Sequence, residues 1–186
     1  MHITTFVTPH GWMAAAWSKA GLQGLSLPQQ SQEEARRALA GELNKCLSNL
    51  PFPTQPRTAE EALLEEEILR YFAKERVHFS TSIDFSGYTA FQKLVLELVR
   101  AIPYGETRTY GEVALQADRP KGARAIGGVM RINRTPIIIP CHRILAAGGG
   151  LGGYSGGLEV KRRLLQLEGS LPEKQLSPAP DNHGCR

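Results

Sequence analysis

The 186-residue chain has little of what marks several broad protein classes. It holds three cysteines, Cys46, Cys141 and Cys185, an odd number, widely spaced and without a CxxC pair. That excludes a disulfide framework and a cysteine-based zinc knuckle, and suits a reducing compartment. His2, His10 and His78 lack metal-ligand spacing, so no metal is expected. No window approaches the roughly 18 apolar residues of a membrane span, and MHITTFVTPH has neither a basic n-region nor an apolar run of signal length. The chain is therefore expected away from membranes, in the cytoplasm (nuclear if eukaryotic). There is no GK[ST] phosphate loop, and the GxGxxG formally present at 148–153 lies inside a glycine run without the acidic residue that would follow a dinucleotide fingerprint. No cofactor is expected.

What is present reads as an ordinary globular chain, 41% hydrophobic and 22% charged. Its net charge of +4 is unevenly placed. Residues 1–80 hold 8 Lys/Arg against 9 Asp/Glu, a balance of −1, and residues 81–170 hold 12 against 7, a balance of +5. A basic half is compatible with a nucleic-acid partner or with a solvated surface.

Residues 1–27 alternate short β-type runs with turns, including Ser18-Lys19-Ala20-Gly21, as an antiparallel meander would. Ser31–Glu34 and Thr58–Glu61 are capping boxes opening helical patterns, separated by the proline-rich loop LPFPTQPR. A small α+β domain is expected over 1–80. Thr89–Gln92 caps a helix whose Phe91, Leu94, Val95, Leu98, Val99 and Ile102 form one apolar stripe, expected to be core. Thr109–Glu112 opens a short helix through about Gln116, and a second helix is expected from about Lys121 to Ile132. Two short helices joined by a tight break form a helix-turn-helix pattern, a DNA-binding unit or plain packing. The second domain is expected over 81–170, followed by a proline-rich, polar, disordered tail over 171–186 that contains Cys185.

The second helix carries Gly127 and Gly128, each costing about 1 kcal/mol relative to alanine. Two explanations stand: close backbone packing against a neighbour, or a face of Ala123, Ala125 and Gly127 small enough to press into a minor groove about 6 Å wide. In the second case Arg124 stands out alone, shaped to enter a base stack.

IIIPCHRI, at 137–144, sets a thiol beside an imidazole after an apolar run. An unperturbed thiol is only a few per cent ionised at neutral pH, so a nucleophilic cysteine needs a basic or cationic neighbour. His142 is adjacent and Arg143 adds charge, but adjacent side chains seldom point the same way. His142 is therefore expected to reach the sulfur through a water. The glycine-rich AAGGGLGGYSGG that follows is either a mobile loop or a backbone-walled pocket offering Tyr154 and Ser155 to a planar ligand.

PCHR at 140–143, preceded by ARAIGGVMRIN and followed by GGYSGG and a helix to Glu168, resembles the O6-alkylguanine-DNA alkyltransferase family (methylated-DNA–protein-cysteine methyltransferase). The resemblance runs through 85–169 and is far looser over 1–80. It implies a ribonuclease H-like N-terminal α/β domain and a mainly helical winged helix-turn-helix domain, within an α+β fold. It also implies irreversible, single-turnover transfer of an alkyl group from O6-alkylguanine, and also from O4-alkylthymine, in double-stranded DNA by a monomer. Cys141 would be the acceptor, His142 its water-relayed base, Glu168 the group orienting His142, Asn133 the holder of the active-site turn, and Tyr110 a donor toward the leaving guanine. Arg124 would fill the vacated stack, with Ala123, Ala125, Gly127 and Arg131 against DNA. Tyr154, Ser155, Pro140 and Gly152 would line the base pocket. Two rivals remain: a non-catalytic helix-turn-helix protein that binds DNA or lesions, and a Cys-His hydrolase, which would turn over.

Overall fold

The computed structural model describes residues 1–43 and 57–171. The expected loop over 50–57, apart from Arg57, and the expected tail, apart from Leu171, lie outside them, as do Cys46 and Cys185. The described residues form a mixed helix-and-sheet structure with a small antiparallel sheet and six α-helices.

The expected meander forms as β1 (His2–Thr8), β2 (Gly11–Ser18) and β3 (Gly21–Leu25), paired in the order β1-β2-β3. Met13 to Trp17 of β2 are all buried because both faces of the sheet are covered. On one face Ile3, Ala14 and Ala16 pack with Ala35, Leu39 and Leu43 of α1 (Gln32–Leu43). On the other, Phe6, Met13, Ala15 and Trp17 join Leu64, Ile68, Tyr71 and Phe72 of α2 (Ala59–Phe72), and this apolar cluster continues into Ile137, Ile138 and Leu164.

Helix starts follow local chemistry. Thr58 accepts from the Glu61 amide while the Glu61 carboxylate accepts from the Thr58 amide, and the same reciprocal pair forms at Thr89–Gln92 and Thr109–Glu112. The Ser31 box forms only by half: Ser31 Oγ accepts from the Glu34 amide, but the Glu34 carboxylate reaches back to Gln30 rather than Ser31.

Three helices build the second core: α3 (Ala90–Arg100), α4 (Tyr110–Gln116) and α5 (Ala123–Arg131). The core stripe of α3 differs from expectation. Leu94 is 43% exposed and Leu96 fully buried. Helix α3 buries Leu96, Val95 and Val99 in one cluster with α4 and α5, which turns the buried sector away from Leu94. Helix α5 is shorter than the expected 121–132, because Gly122 caps it without a side-chain hydrogen bond. After α5 come a 3₁₀ turn at Cys141–Arg143, then β5 (Ile144–Leu145), which pairs in parallel with β4 (Arg108–Thr109) from just before α4, a second 3₁₀ turn at Ala147–Gly149, and α6 (Leu158–Leu167).

Backbone hydrogen bonds join the sheet to residues beyond 80. The Leu22 amide donates to Ser82 O at 2.8 Å, the Asp84 amide to Leu22 O at 2.9 Å, and the Leu25 amide to Arg134 O at 2.8 Å. Gly21 makes this approach possible: its φ is +125°, and an added Cβ would lie 2.4 Å from Ser82 O. Gly21→Ala is expected to destabilise the protein by roughly 2 kcal/mol or more, through a disfavoured backbone and a forced separation of the two segments. Chemical denaturation would check this, and an unchanged midpoint would refute it.

Candidate active site

The site is assembled around a strained turn. Ile137 has φ of 75°, an outlier for a β-branched residue, so surrounding contacts must hold it. Asn133, buried just past the end of α5, supplies several. Its Oδ1 accepts from the Thr135 amide at 3.1 Å, and its Nδ2 donates to Ile139 O at 2.9 Å and to Cys141 Sγ at 3.2 Å. Cys141 follows Pro140 at the start of the 3₁₀ turn and is only 5% exposed.

A cavity of about 1060 Å³ opens beside the sulfur. Cys141, Tyr110, Tyr154 and Ser155 line it together with Ala123, Arg124, Gly127 and Arg131 of α5. Ala146, Ala147 and Gly153 of the glycine-rich segment complete the wall with Thr109, Gly111, Gly128 and Met130, which the sequence had not marked for it. Among these lining residues there are two arginines and no carboxylate. Three expected residues stand off it. Ala125 is exposed one step further round α5, Pro140 is buried beneath the turn, and Gly152 sits behind the Tyr110 ring, where an added Cβ would come within 3.1 Å of Cε2.

The two explanations for Gly127 and Gly128 can now be weighed. A Cβ on Gly127 would make only ordinary contact with Tyr110, at 3.8 Å, and one on Gly128 would meet nothing within 4 Å. Close packing within the protein therefore does not require either glycine, and both face the open cavity. The glycine-rich segment likewise contributes cavity wall through Ala146, Ala147, Gly153, Tyr154 and Ser155.

Behind the sulfur lies a buried polar network. Glu168 Oε1 accepts from His142 Nε2 at 2.7 Å, Tyr71 OH at 2.7 Å and Arg143 at 3.0 Å. Its Oε2 accepts from Arg143 Nε at 2.8 Å and more distantly from the Gly105 amide. Burial alone would raise the carboxyl pKa, but the hydrogen bonds and charges of His142 and Arg143 overcome it and hold the group at about 2. Glu168 is thus ionised and can only accept, so Nε2 must carry a proton. Burial also lowers the His142 pKa despite the carboxylate, favouring the neutral ring. In that tautomer Nδ1 is a free base, and it is buried without a protein partner.

The sulfur is not held as a thiolate at rest. Burial pushes the Cys141 pKa up, and hydrogen bonding by Asn133 with the nearby Tyr154 and Lys161 does not reverse that. The Tyr154 hydroxyl closes no hydrogen bond of ordinary geometry, yet lies near enough to the sulfur to favour its ionisation, while burial and the sulfur keep the phenol itself protonated. At rest the sulfur is a protected thiol. Lys161 is fully buried, donates to the carbonyls of Ile144 and Leu151, and is lowered by burial to about 8. Sequence reasoning missed it amid the basic run Lys161-Arg162-Arg163. The signal was its helical spacing with Leu164, Leu165 and Glu168, which sets all four on one stripe.

Two short helices, α4 and α5, stand against a cavity lined by a buried cysteine, an arrangement suited to the class of DNA-binding proteins that carry their own acceptor thiol. Residues 90–170 match the family described as 6-O-methylguanine DNA methyltransferase, DNA binding domain. The methylated-DNA–protein-cysteine methyltransferase of Mycobacterium tuberculosis is 36% identical over 170 residues, 91% of this chain and 93% of that protein. That of Methanosarcina acetivorans is 49% identical over 100 residues, covering 54% of this chain and 64% of its own length. Among solved structures, Mycobacterium tuberculosis OGT in complex with DNA matches with a TM-score of 0.72 at 34% identity, over 91% of this chain and 94% of that one. The chain belongs to the methylated-DNA–protein-cysteine methyltransferase family.

The Glu168 network makes a prediction about acid. A carboxyl lowered on folding from 4.5 to about 2 contributes stability that is complete above the unfolded value and is lost as pH falls toward the folded one. The amount is on the order of 3 kcal/mol. Glu168→Gln should destabilise the protein by roughly 3–5 kcal/mol at neutral pH, leaving Arg143 buried without its counter-charge, and should flatten this acid loss. Denaturation across the pH range would show it; equal acid sensitivity in both proteins would exclude the assignment.

Proposed function

We propose that the protein repairs alkylated DNA by moving the alkyl group of O6-alkylguanine, and of O4-alkylthymine, onto Cys141 in one irreversible step. The observation that carries this reading is the placement of the Cys141 sulfur on a cavity walled by the small-residue face of α5 and backed by the Glu168–His142 pair.

A base stacked in a duplex cannot reach a sulfur on a cavity floor, so the lesion must be everted, at a cost of a few kcal/mol. The face formed by Ala123, Gly127 and their neighbours lies against the minor groove, Arg131 steadies the backbone, and Arg124 enters the vacated stack. Tyr154 and Ser155 receive the purine, with Pro140 and Gly152 standing behind the cavity wall. A water held between His142 Nδ1 and the thiol brings the two within proton-transfer reach. The proton passes to His142, whose charge Glu168 offsets. The sulfur lone pair forms the S–C bond, the C–O6 bond breaks, and its electron pair stays with guanine. Tyr110, which now donates to Gly153 O at 3.3 Å, turns its hydroxyl to the departing base.

The thioether product resists hydrolysis, so each chain acts once, as a monomer. This is why a Cys-His hydrolase reading fits less well: nothing in the reaction regenerates the thiol. We read residues 1–80 as a ribonuclease H-like domain and 81–170 as a winged helix-turn-helix domain. Double-stranded DNA is the partner, in the cytoplasm or, in a eukaryote, the nucleus.

Incubation with duplex DNA carrying labelled O6-methylguanine should place about one equivalent of label on wild type, found by mass spectrometry on the Cys141 peptide. Cys141→Ala should take none while still binding lesion DNA; label on that variant would put the acceptor elsewhere, and no label on wild type would favour a non-catalytic DNA-binding protein. Arg124→Ala should slow repair of duplex DNA by about tenfold or more while sparing reaction with free alkylated guanine. Equal slowing of both would remove the stacking role.

A further inference from the structure

Helix α2 belongs to the first 80 residues, where no catalytic motif is legible, yet one of its side chains ends inside the network behind the sulfur. Tyr71 is fully buried, and its hydroxyl donates to Glu168 Oε1 at 2.7 Å, the same oxygen that accepts from His142 Nε2. The ring is boxed, with Phe79 at 6.0 Å and Tyr104 edge-on at 5.9 Å between centroids. Its hydroxyl can swing only about the C–O bond, and Glu168 is its acceptor. Leu64, Ile68 and Phe72 on the same stripe fix α2 against the apolar cluster that also holds Ile137, Ile138 and Leu164.

We propose that Tyr71 is a positioning residue for alkyl transfer, by which the N-terminal half sets how strongly Glu168 supports a proton on His142. This rests on the alkyl-transfer reading given above. The physical basis is a competition for one oxygen. Each donor on Oε1 draws off electron density, so a carboxylate that accepts from Tyr71 as well as Arg143 attracts an imidazolium less strongly than one that does not. The tyrosine thereby keeps the His142 ring neutral, with Nδ1 unprotonated and ready to take the thiol proton. Burial and the facing carboxylate push the Tyr71 pKa far up, so it stays a donor across the working range. Among the described residues, the other charged or titratable groups acting on this network are Arg143 from the 3₁₀ turn, Tyr104 from the loop after α3, and Lys161 and Tyr154 toward the cavity.

Tyr71→Phe keeps the ring and removes only the hydroxyl. The rate of label transfer from O6-methylguanine duplex DNA should be measured against pH for wild type, Tyr71→Phe and Cys141→Ala, with a thermal melt of each. The expected result is an acid limb displaced upward by about one pH unit in Tyr71→Phe, with rates converging on wild type in mildly alkaline solution. Observation of the His142 ring by NMR should show a matching rise in its pKa. If wild type transfers label normally but the Tyr71→Phe profile superimposes on it, or is lowered equally at every pH, the assignment is overturned, the second outcome marking a purely structural role. Failure of wild type to take label would instead strike the alkyl-transfer reading itself, so the two failures are told apart by one control.

Discussion

A single buried carboxylate, Glu168, sets the terms for everything around it. An ion of this size taken out of water is strongly penalised unless charge and hydrogen bonds replace its hydration. Here Arg143 donates to both oxygens, and His142 and Tyr71 complete Oε1. Those partners come from α2 and from the 3₁₀ turn, while the carboxylate itself stands at the end of α6, so the ion cannot be satisfied until elements about 100 residues apart in sequence have met, as the separation of 97 between Tyr71 and Glu168 shows. Satisfying one charge thus enforces a particular tertiary arrangement. It also leaves the carboxylate unable to donate, which fixes the histidine tautomer. Stability and chemistry share one set of bonds.

The sulfur obeys an opposing demand. A thiol that is consumed by its first reaction must not be spent on oxidants, and susceptibility to oxidation rises with thiolate character and exposure. Burial holds Cys141 protonated, while Asn133 keeps it pointed at the cavity through a donor that also pins the backbone of the strained turn. The neutral, free Nδ1 of His142 is the complement: a base close to the thiol that has not yet taken its proton. Activation then belongs to the moment of substrate binding rather than to the resting protein. This is a different balance from enzymes that keep a standing thiolate in an electropositive niche.

Local chemistry was legible and collective burial was not. Three of the four capping boxes form as read, since a threonine and the acidic or amide group three residues on need only each other. PCHR drew attention because a thiol, an imidazole and a guanidinium occur together. Glu168 and Asn133 carried no such mark, and their importance followed only from the likeness to a family. Leu94 and Leu96 exchanged roles because the spacing of one helix does not say from which side its neighbours come. Tyr71 and Lys161 were hidden by their types: a tyrosine in an apolar stripe reads as core, and a lysine in a basic run reads as solvated. In both, the stripe placed the side chain inside, and a buried hydroxyl or ammonium requires a partner.

The same reasoning explains why α5 tolerates paired glycines. A helix stabilised only by its own packing would replace Gly128 with alanine, since a Cβ there meets nothing and the backbone would lose less entropy. The glycine is retained on an open face bearing Arg124 and Arg131 and no carboxylate, next to a cavity large enough for a base. In the proposed repair reading, helix stability is given up where DNA must approach closely. The charge balance agrees, since the excess of +5 lies in residues 81–170, while the nearly neutral first half contributes core and one hydroxyl to the buried network. In that reading the basic half meets the polyanion, and the other half is coupled to the chemistry from behind, through the carboxylate on which the whole arrangement closes.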